Sequence, residues 1–296
     1  MSKKKDDEKN VPTTGHSWDG IEEYDNPMPR WWLWTFYATI VWGIGYTIAY
    51  PAWPMINGAT EGMLGWSTRG AFVEEMRAAE EANAEINARL ASADLNAIPA
   101  DTELAGYAAN KGAAVYRTFC SQCHGSGAAG VMSEGYPNLL DDAWLWGGTI
   151  EEIHHTIAHG IRNDEDPDAR YSQMPAYGDI FSDEEINQVV NYAYTLNGRE
   201  ALDAEAAAAG QELYLNNCAA CHMEDGSGNT LLGAPALNDA VWLYGGGFDT
   251  LMETVVYSRY GVMPPWQDKL TEAELAAVST YIHQLGGGVE TADAAE

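Results

Sequence analysis

Cys120-Ser121-Gln122-Cys123-His124 and Cys218-Ala219-Ala220-Cys221-His222 are two copies of one spacing, Cys-x-x-Cys-His, and they use all four cysteines of the chain. On a helix, positions i, i+3 and i+4 share a face. Both sulfurs and the imidazole of each copy then meet the edge of one flat macrocycle. That is the attachment pattern of c-type haem: two thioethers and one axial nitrogen. A single copy would also suit half of a zinc site, but two copies in matched surroundings favour haem. Cys120, Cys123, Cys218 and Cys221 are therefore expected to hold two covalent haem c groups, with His124 and His222 on the irons. With every cysteine committed, no disulfide is expected even in an oxidising compartment.

The surroundings repeat in register with each His. Twelve residues before it stand Gly112 and Gly210; eight before stand Tyr116 and Tyr214. A Gly and an aromatic one turn apart suit close helix packing, because Gly has no Cβ to hold a partner off. After the His, Gly135-Tyr136-Pro137-Asn138-Leu139 matches Gly233-Ala234-Pro235-Ala236-Leu237. Trp144-Leu145-Trp146-Gly147-Gly148 then matches Trp242-Leu243-Tyr244-Gly245-Gly246 without a gap. A repeat of this kind sets the architecture.

Each repeat has one Met-Pro, Met174-Pro175 and Met263-Pro264. Met174 and Met263 are the expected second axial ligands; the competing reading of a Met is core packing. His plus Met raises the potential of haem iron and fills its sixth position, which suits electron carriage rather than oxygen or peroxide chemistry. The default pairing is within a repeat, Met174 with the first haem and Met263 with the second. Two packed domains could exchange these loops, and spacing does not exclude it. His154, His155 and His159 lie on a short helix and are read as surface or propionate-contacting residues ahead of substitute ligands. His16 and His283 have no matching feature. The first repeat is longer between His and Met by a polar acidic run, Arg162–Asp168. That run is read as a solvated loop ahead of a calcium loop, because no Gly-centred ligand spacing is present.

The elements that position these residues are also legible. Ser182-Asp183-Glu184-Glu185 and Thr271-Glu272-Ala273-Glu274 are S/T-x-x-E capping boxes, each starting a helix that carries a Tyr (Tyr192, Tyr281) and stops near a Gly (Gly198, Gly286). Each repeat thus reads as helix, haem site, short helix, Met loop, closing helix. This resembles the small His/Met cytochrome c fold, in which the first and last helices cross at a Gly/aromatic contact. The predicted fold class is all-α, one N-terminal transmembrane helix followed by two tandem cytochrome c domains. The expected boundaries are a cytoplasmic tail (1–30), the span (31–50) and a linker with a helical segment (51–103). Domain 1 (104–200), domain 2 (201–287) and a disordered tail (288–296) follow.

The span is expected because Trp31 to Tyr50 carries no charged side chain, and twenty helical residues cover about 30 Å, the hydrocarbon thickness. Trp31, Trp32 and Trp34 mark one interface, Tyr50 and Trp53 the other. A buried core helix is the rival reading. Lys3, Lys4, Lys5, Lys9 and Arg30 precede the span, while the next twenty residues hold only Arg69. That asymmetry puts the N-terminus in the cytoplasm and the haem domains outside the inner membrane. The run Ala71–Leu90 is strongly helical in composition, either a solvated spacer or a helix lying on a partner subunit.

The formal charge is -29. Residues 1–50 carry 5 basic and 7 acidic side chains, and the remainder 10 and 37. A negative exterior steers basic partners and argues against nucleic acid as a target; solubility in a salty habitat is the rival reading.

Four stretches together resemble the dihaem subunit of cbb3-type cytochrome c oxidase, called FixP or CcoP. They are Gly20-Ile21-Glu22-Glu23-Tyr24-Asp25-Asn26-Pro27 with its continuation to Trp32, the span ending Tyr50-Pro51-Ala52-Trp53-Pro54, Gly65–Gly70, and the two haem repeats. Some members carry an extra N-terminal span, which is expected to be absent here. The resemblance implies a non-catalytic subunit of a proton-pumping terminal oxidase. It would take electrons from a donor cytochrome c or the bc1 complex. It would pass them through the monohaem subunit to the oxygen-reducing catalytic subunit. The rival functions are a membrane-anchored dihaem cytochrome of another chain, such as nitric oxide reduction, and a dihaem peroxidase.

Overall fold

The computed structural model describes residues 11–290 and divides the chain into two units, 1–82 and 83–296. Lys3, Lys4, Lys5 and Lys9, and the tail 291–296, lie outside the described residues.

In the first unit, strands β1 (Thr13–Trp18) and β2 (Ile21–Tyr24) form an antiparallel hairpin. Asp19 and Gly20 turn it with φ of +52° and +83°. Positive φ at both central residues is what a two-residue hairpin turn requires, and Asp-Gly supplies it. The expected tail therefore contains ordered strand, and the chain is not purely helical. Helix α1 (Arg30–Ala49) follows Pro29 and ends two residues before Pro51. Its carbonyls are capped when the chain returns: Met63 N–H donates to Ile48 O and Leu64 N–H to Ala49 O. That return requires Gly62, where a Cβ would stand 2.5 Å from Ala49 O. A second hairpin, β3 (Pro54–Met55) with β4 (Gly58–Ala59), fills the loop. Helix α2 (Thr68–Ala82) starts where Ser67 Oγ accepts the Gly70 N–H at 2.9 Å.

Among the described residues, no helix is both long and apolar enough to cross a membrane. The mean hydropathy of α1 is held down by Trp31, Trp32, Trp34, Tyr37, Trp42 and Tyr46. Their rings carry an N–H or O–H beside a large apolar body.

The second unit opens with α3 (Ala84–Ala91), so the run expected as one helix from Ala71 is broken at Asn83. Leu90 of α3 is fully buried with Ile98, Leu104, Ala108 and Ala273. This end of the linker is core, not spacer. Next come α4 (Thr102–Val115), a wide turn of π type over Tyr116–Cys120, and α5 (Ser121–His124). Then follow α6 (Ile150–His159), α7 (Asp183–Thr195), α8 (Ala204–Asn217), α9 (Ala219–His222), α10 (Phe248–Tyr257) and α11 (Glu272–His283). Both predicted capping boxes form: Ser182 with Glu185 and Thr271 with Glu274. Thr149 and Glu152 form a third at the start of α6.

The closing helices are exchanged between the repeats. Helix α4 of the first repeat packs on α11 of the second, and α7 of the first on α8 of the second. Both crossings are set by the matched glycines. A Cβ at Gly112 would lie 2.2 Å from Ala277 O, and one at Gly210 would lie 2.0 Å from Gln188 O. The matched tyrosines seal them, with ring centroids 5.7 Å apart for Tyr116–Tyr281 and 5.2 Å for Tyr192–Tyr214. The expected crossing of first and last helix occurs, but between repeats rather than within one. One core therefore joins Val115, Tyr116, Ile153 and Ile157 to Leu275, Val278 and Ile282. The other joins Ile186, Val189 and Val190 to Tyr214 and Leu251.

Candidate haem sites

Each Cys-x-x-Cys-His sits where a long helix gives way to a one-turn helix. In the first copy Cys120 ends the π turn and Cys123-His124 close α5. In the second Cys218 caps α8 and Cys221-His222 close α9. The turn is fixed from behind by a tyrosine. Tyr116 Oη donates to Gly125 O at 2.7 Å, and Tyr214 Oη to Met223 O at 2.8 Å. Burial pushes Tyr116 up to about 12 and Tyr214 up as well, so both phenols stay donors.

The two imidazoles are oriented alike. Nδ1 of His124 faces Pro137 O at 3.2 Å, and Nδ1 of His222 faces Pro235 O at 2.9 Å. A ring nitrogen against a carbonyl oxygen must carry the proton, which leaves Nε2 as the free base. Burial lowers both histidines' pKa, with the proline carbonyls opposing it. Neutral imidazole with a bare Nε2 is the form that binds iron. Burial also pushes the Cys120 and Cys218 thiols up to about 11.

Two apolar cavities lie beside these motifs. The first is lined by Cys120, His124, Leu139, Ile153, Trp146 and Met263. The second is lined by Cys218, Cys221, His222, Tyr177, Trp242 and Met174. The within-repeat pairing of Met174 with His124 and Met263 with His222 is thus not what the structure has: each Met reaches the other repeat's motif. The reason is the exchange of closing helices, since each Met loop leads into α7 or α11 and travels with it. Ile161 and Met263 exchange backbone hydrogen bonds of 2.9 and 3.0 Å, stitching the second repeat's Met to the first repeat's helix end. Ser258 Oγ donates to Met174 O in the mirror contact.

Chemical fit to a haem is tested by the cavity walls. Trp146 Nε1 and Trp242 Nε1 are buried without a hydrogen-bond partner, one in each cavity wall. A buried N–H left unpaired costs about 1–3 kcal/mol. An apolar slot with a thioether, a bare imidazole nitrogen, the Cys-x-x-Cys thiols at its edge (Cys120 in the first wall, Cys218 and Cys221 in the second) and an unmet N–H suits a flat macrocycle carrying acidic side groups. The residues present fit haem c at both sites.

The sites share a boundary. Leu145 lines both cavities. Trp146 presses on Gly233, where a Cβ would stand 2.3 Å from its ring, and Tyr244 presses on Gly135 at 2.2 Å. Behind these rings lie Arg170 over Trp146 at 5.6 Å and Arg259 over Tyr244 at 4.7 Å. Both arginines stand four residues before a Met, so the pairing was legible in the repeat register.

Other histidines stay outside the cavities. His155 and His159 pack ring to ring at 4.5 Å. His159 Nδ1 meets Asp166 Oδ2 at 3.0 Å. Asp166 is buried and also accepts from Asp168 N–H at 2.8 Å and Gln267 Nε2. Burial raises this carboxyl, but the Asp168 N–H and His159 outweigh it and hold it below its ordinary value. His159, Asp166 and Asp168 could together hold a metal ion. The Arg162–Asp168 run is therefore anchored at its centre rather than fully solvated. His16 stands on β1, and His283 Nε2 faces Val289 O at 3.1 Å.

Residues 10–57 match the model of the N-terminal domain of cytochrome oxidase-cbb3, FixP. Residues 108–192 and 205–282 match the model of cytochrome c oxidase, cbb3-type, subunit III. The chain is 59% identical over 279 residues to the cbb3-type cytochrome c oxidase subunit CcoP of Cereibacter sphaeroides, covering 94% of this chain and 95% of that one. It is 48% identical to CcoP of Rhodobacter capsulatus, covering 97% and 100%. It is 46% identical to the cbb3-type subunit FixP of Azorhizobium caulinodans, covering 93% of each. The two Cys-x-x-Cys-His motifs, the family models matched over most of the chain and relatives up to 59% identical along nearly its whole length place this chain in the CcoP/FixP family of cbb3-type cytochrome c oxidase subunits.

Proposed function

We propose that this chain is the dihaem electron-transfer subunit of a cbb3-type terminal oxidase. The observation that carries the reading is the pair of matched cavities, each bringing one Cys-x-x-Cys-His together with one Met. Cys120, Cys123 and His124 with Met263 would hold the first haem c. Cys218, Cys221 and His222 with Met174 would hold the second. The haem, when bound, supplies a one-electron couple between ferric and ferrous iron. The chain's residues do the rest. The proline carbonyls orient the imidazoles, the Met loops would supply a second ligand to each iron, and the apolar walls exclude water. A Met beside each Cys-x-x-Cys-His would leave neither iron an open position, which speaks against peroxidase chemistry. The chain itself is not the oxygen-reducing enzyme.

Helix α1 is the proposed membrane anchor. It has no charged residue after Arg30, and no side chain of it is buried by the protein. Trp31, Trp34 and Trp42 are each about 70% exposed, which leaves large apolar rings for lipid or partner helices. The N-terminus would be cytoplasmic and the haem unit periplasmic. The monohaem subunit and the catalytic haem-copper subunit are the proposed partners. A donor cytochrome c or the bc1 complex supplies electrons to it. The negative exterior favours a basic donor.

Purification from native membrane in mild detergent tests this. Co-purification of a monohaem cytochrome and a haem-copper subunit is expected; isolation with nitric oxide reductase components would favour the other respiratory chain. Carbon monoxide binding to either haem of the reduced chain would contradict the ligand assignment. Alkaline phosphatase fused after residue 66 should be active, and inactive fusions would reverse the orientation.

A further inference from the structure

We propose that Arg162 is a positioning residue shared by both haem sites: one guanidinium holds the two exchanged Met loops together and sets a positive charge at the second site. This rests on the ligand assignment above and goes beyond it.

Arg162 bonds the two loops at equivalent positions. Its Nη1 donates to Ser172 O at 2.9 Å, and its Nε donates to Gly261 O at 2.8 Å. Ser172 and Gly261 each stand two residues before a Met-Pro. Those loops come from different repeats and serve different cavities, so the fork spans the duplication. Its planar, fixed donors suit such a two-point contact, where a lysine would offer a single flexible one. The backbone is committed as well. Arg162 N–H donates to Arg170 O, and φ at Arg162 is +50°, a conformation uncommon for a non-glycine residue. Its neighbour Ile161 pairs with Met263.

The charge has no partner of opposite sign. Among the described residues no carboxylate lies within ion-pair distance of Arg162, though the chain has 44 acidic side chains. It meets two carbonyls and the ring of Tyr260 at 5.8 Å. It also lines the second cavity, and among the described residues its side-chain hydrogen bonds use only Nε and Nη1. A part-buried cation beside an iron favours the ferrous state, and a low local dielectric strengthens the effect. Among the described residues no arginine of the second repeat bonds both Met loops; Arg259 turns instead to Thr250, Glu253 and Thr254. That repeat's corresponding turn uses Ser258, and the residues that carry Arg162 are the insertion peculiar to the first repeat.

The test uses the full-length chain with both haems attached, purified in detergent, as Arg162→Gln and Arg162→Lys. The readouts are the near-infrared Met–Fe(III) absorption, the two midpoint potentials and the haem content. Expected for Arg162→Gln is two haems per chain, a weakened Met–Fe band at both sites, and a lowered potential at the second. Arg162→Lys keeps the charge and should restore most of that potential, with the band still weakened. Unchanged band and potentials in Arg162→Gln would overturn the proposal, as would a weakening of the band confined to one haem. If Arg162→Gln fails to assemble, an unaltered band in Arg162→Lys overturns it. Absence of the band in the unsubstituted chain would instead sink the Met assignment, and the clamp with it.

Discussion

Ile161 and Met263 pair as a two-hydrogen-bond bridge, although the second haem motif lies between them in the chain. The Met of one repeat is thereby built into the wall of the other repeat's cavity. A chain with Cys218→Ala and Cys221→Ala should keep only the first haem. In that background Met263→Ala should abolish the Met–Fe(III) band and lower the potential, whereas Met174→Ala should leave both nearly unchanged. The reverse pattern would restore the within-repeat pairing.

The helix crossings depend on two glycines, and substitution there should be costly. A Cβ at Gly112 would stand 2.2 Å from Ala277 O, so Gly112→Ala forces the helices apart. Overpacking of this kind costs about 1–3 kcal/mol, and each kcal/mol lowers the melting temperature by roughly 2–4 °C in a domain of this size. Gly106 lies on the same helix with open space around it. Gly106→Ala should be neutral or stabilising, because Ala gains roughly 0.5–1 kcal/mol over Gly within a helix. Thermal melts of the two variants give the contrast.

Acid should loosen the helix starts. The Leu104 N–H, followed by the Glu103 N–H and Arg89, holds the Asp101 carboxyl below its ordinary value. The Ser182 backbone and hydroxyl do the same for Glu185. A carboxyl depressed in the folded state stabilises above its unfolded pKa, near 4, and that stability is lost as pH falls through the folded value. Melting temperature should therefore drop below about pH 4. Asp101→Asn, which retains the capping oxygen, should flatten part of that acid slope.

Charge steering predicts a salt effect. Reduction by a basic donor cytochrome should slow as ionic strength rises, because screening shortens the reach of the negative surface to about 8 Å at 0.15 M. An acidic donor should show the opposite trend. Stopped-flow rates across a salt series discriminate the two.

The haem motifs, the repeat, the capping boxes and the Met-Pro loops were readable because each is a local pattern with a fixed physical meaning. The exchange was not readable from spacing. Two near-identical repeats offer each Gly/Tyr helix two equally suitable partners. What decides between them is chain connection: α7 and α8 are consecutive and joined by a short segment, so their pairing closes the smaller loop. That leaves α4 to α11. Arg162 escaped notice because its polar, acidic neighbours read as a solvated loop, and its two bonds reach residues remote in sequence. The hairpin at Asp19-Gly20 carried a turn signal, but its strands bury nothing and so lack the apolar alternation that marks a strand.

The pairing of α4 with α11 also sets a timetable for making the protein. Ribosomes extend a chain at roughly 5–20 residues per second, and domains usually fold from the N-terminal end. Here Thr102–Val115 is synthesised early, while Glu272–His283, the helix it needs, comes almost last. The neighbours α7 and α8 can join while the first site still waits for its lid. On that order Cys120, Cys123 and His124 would stay open until Glu272–His283 arrives, and the motif translated first would be the one enclosed last.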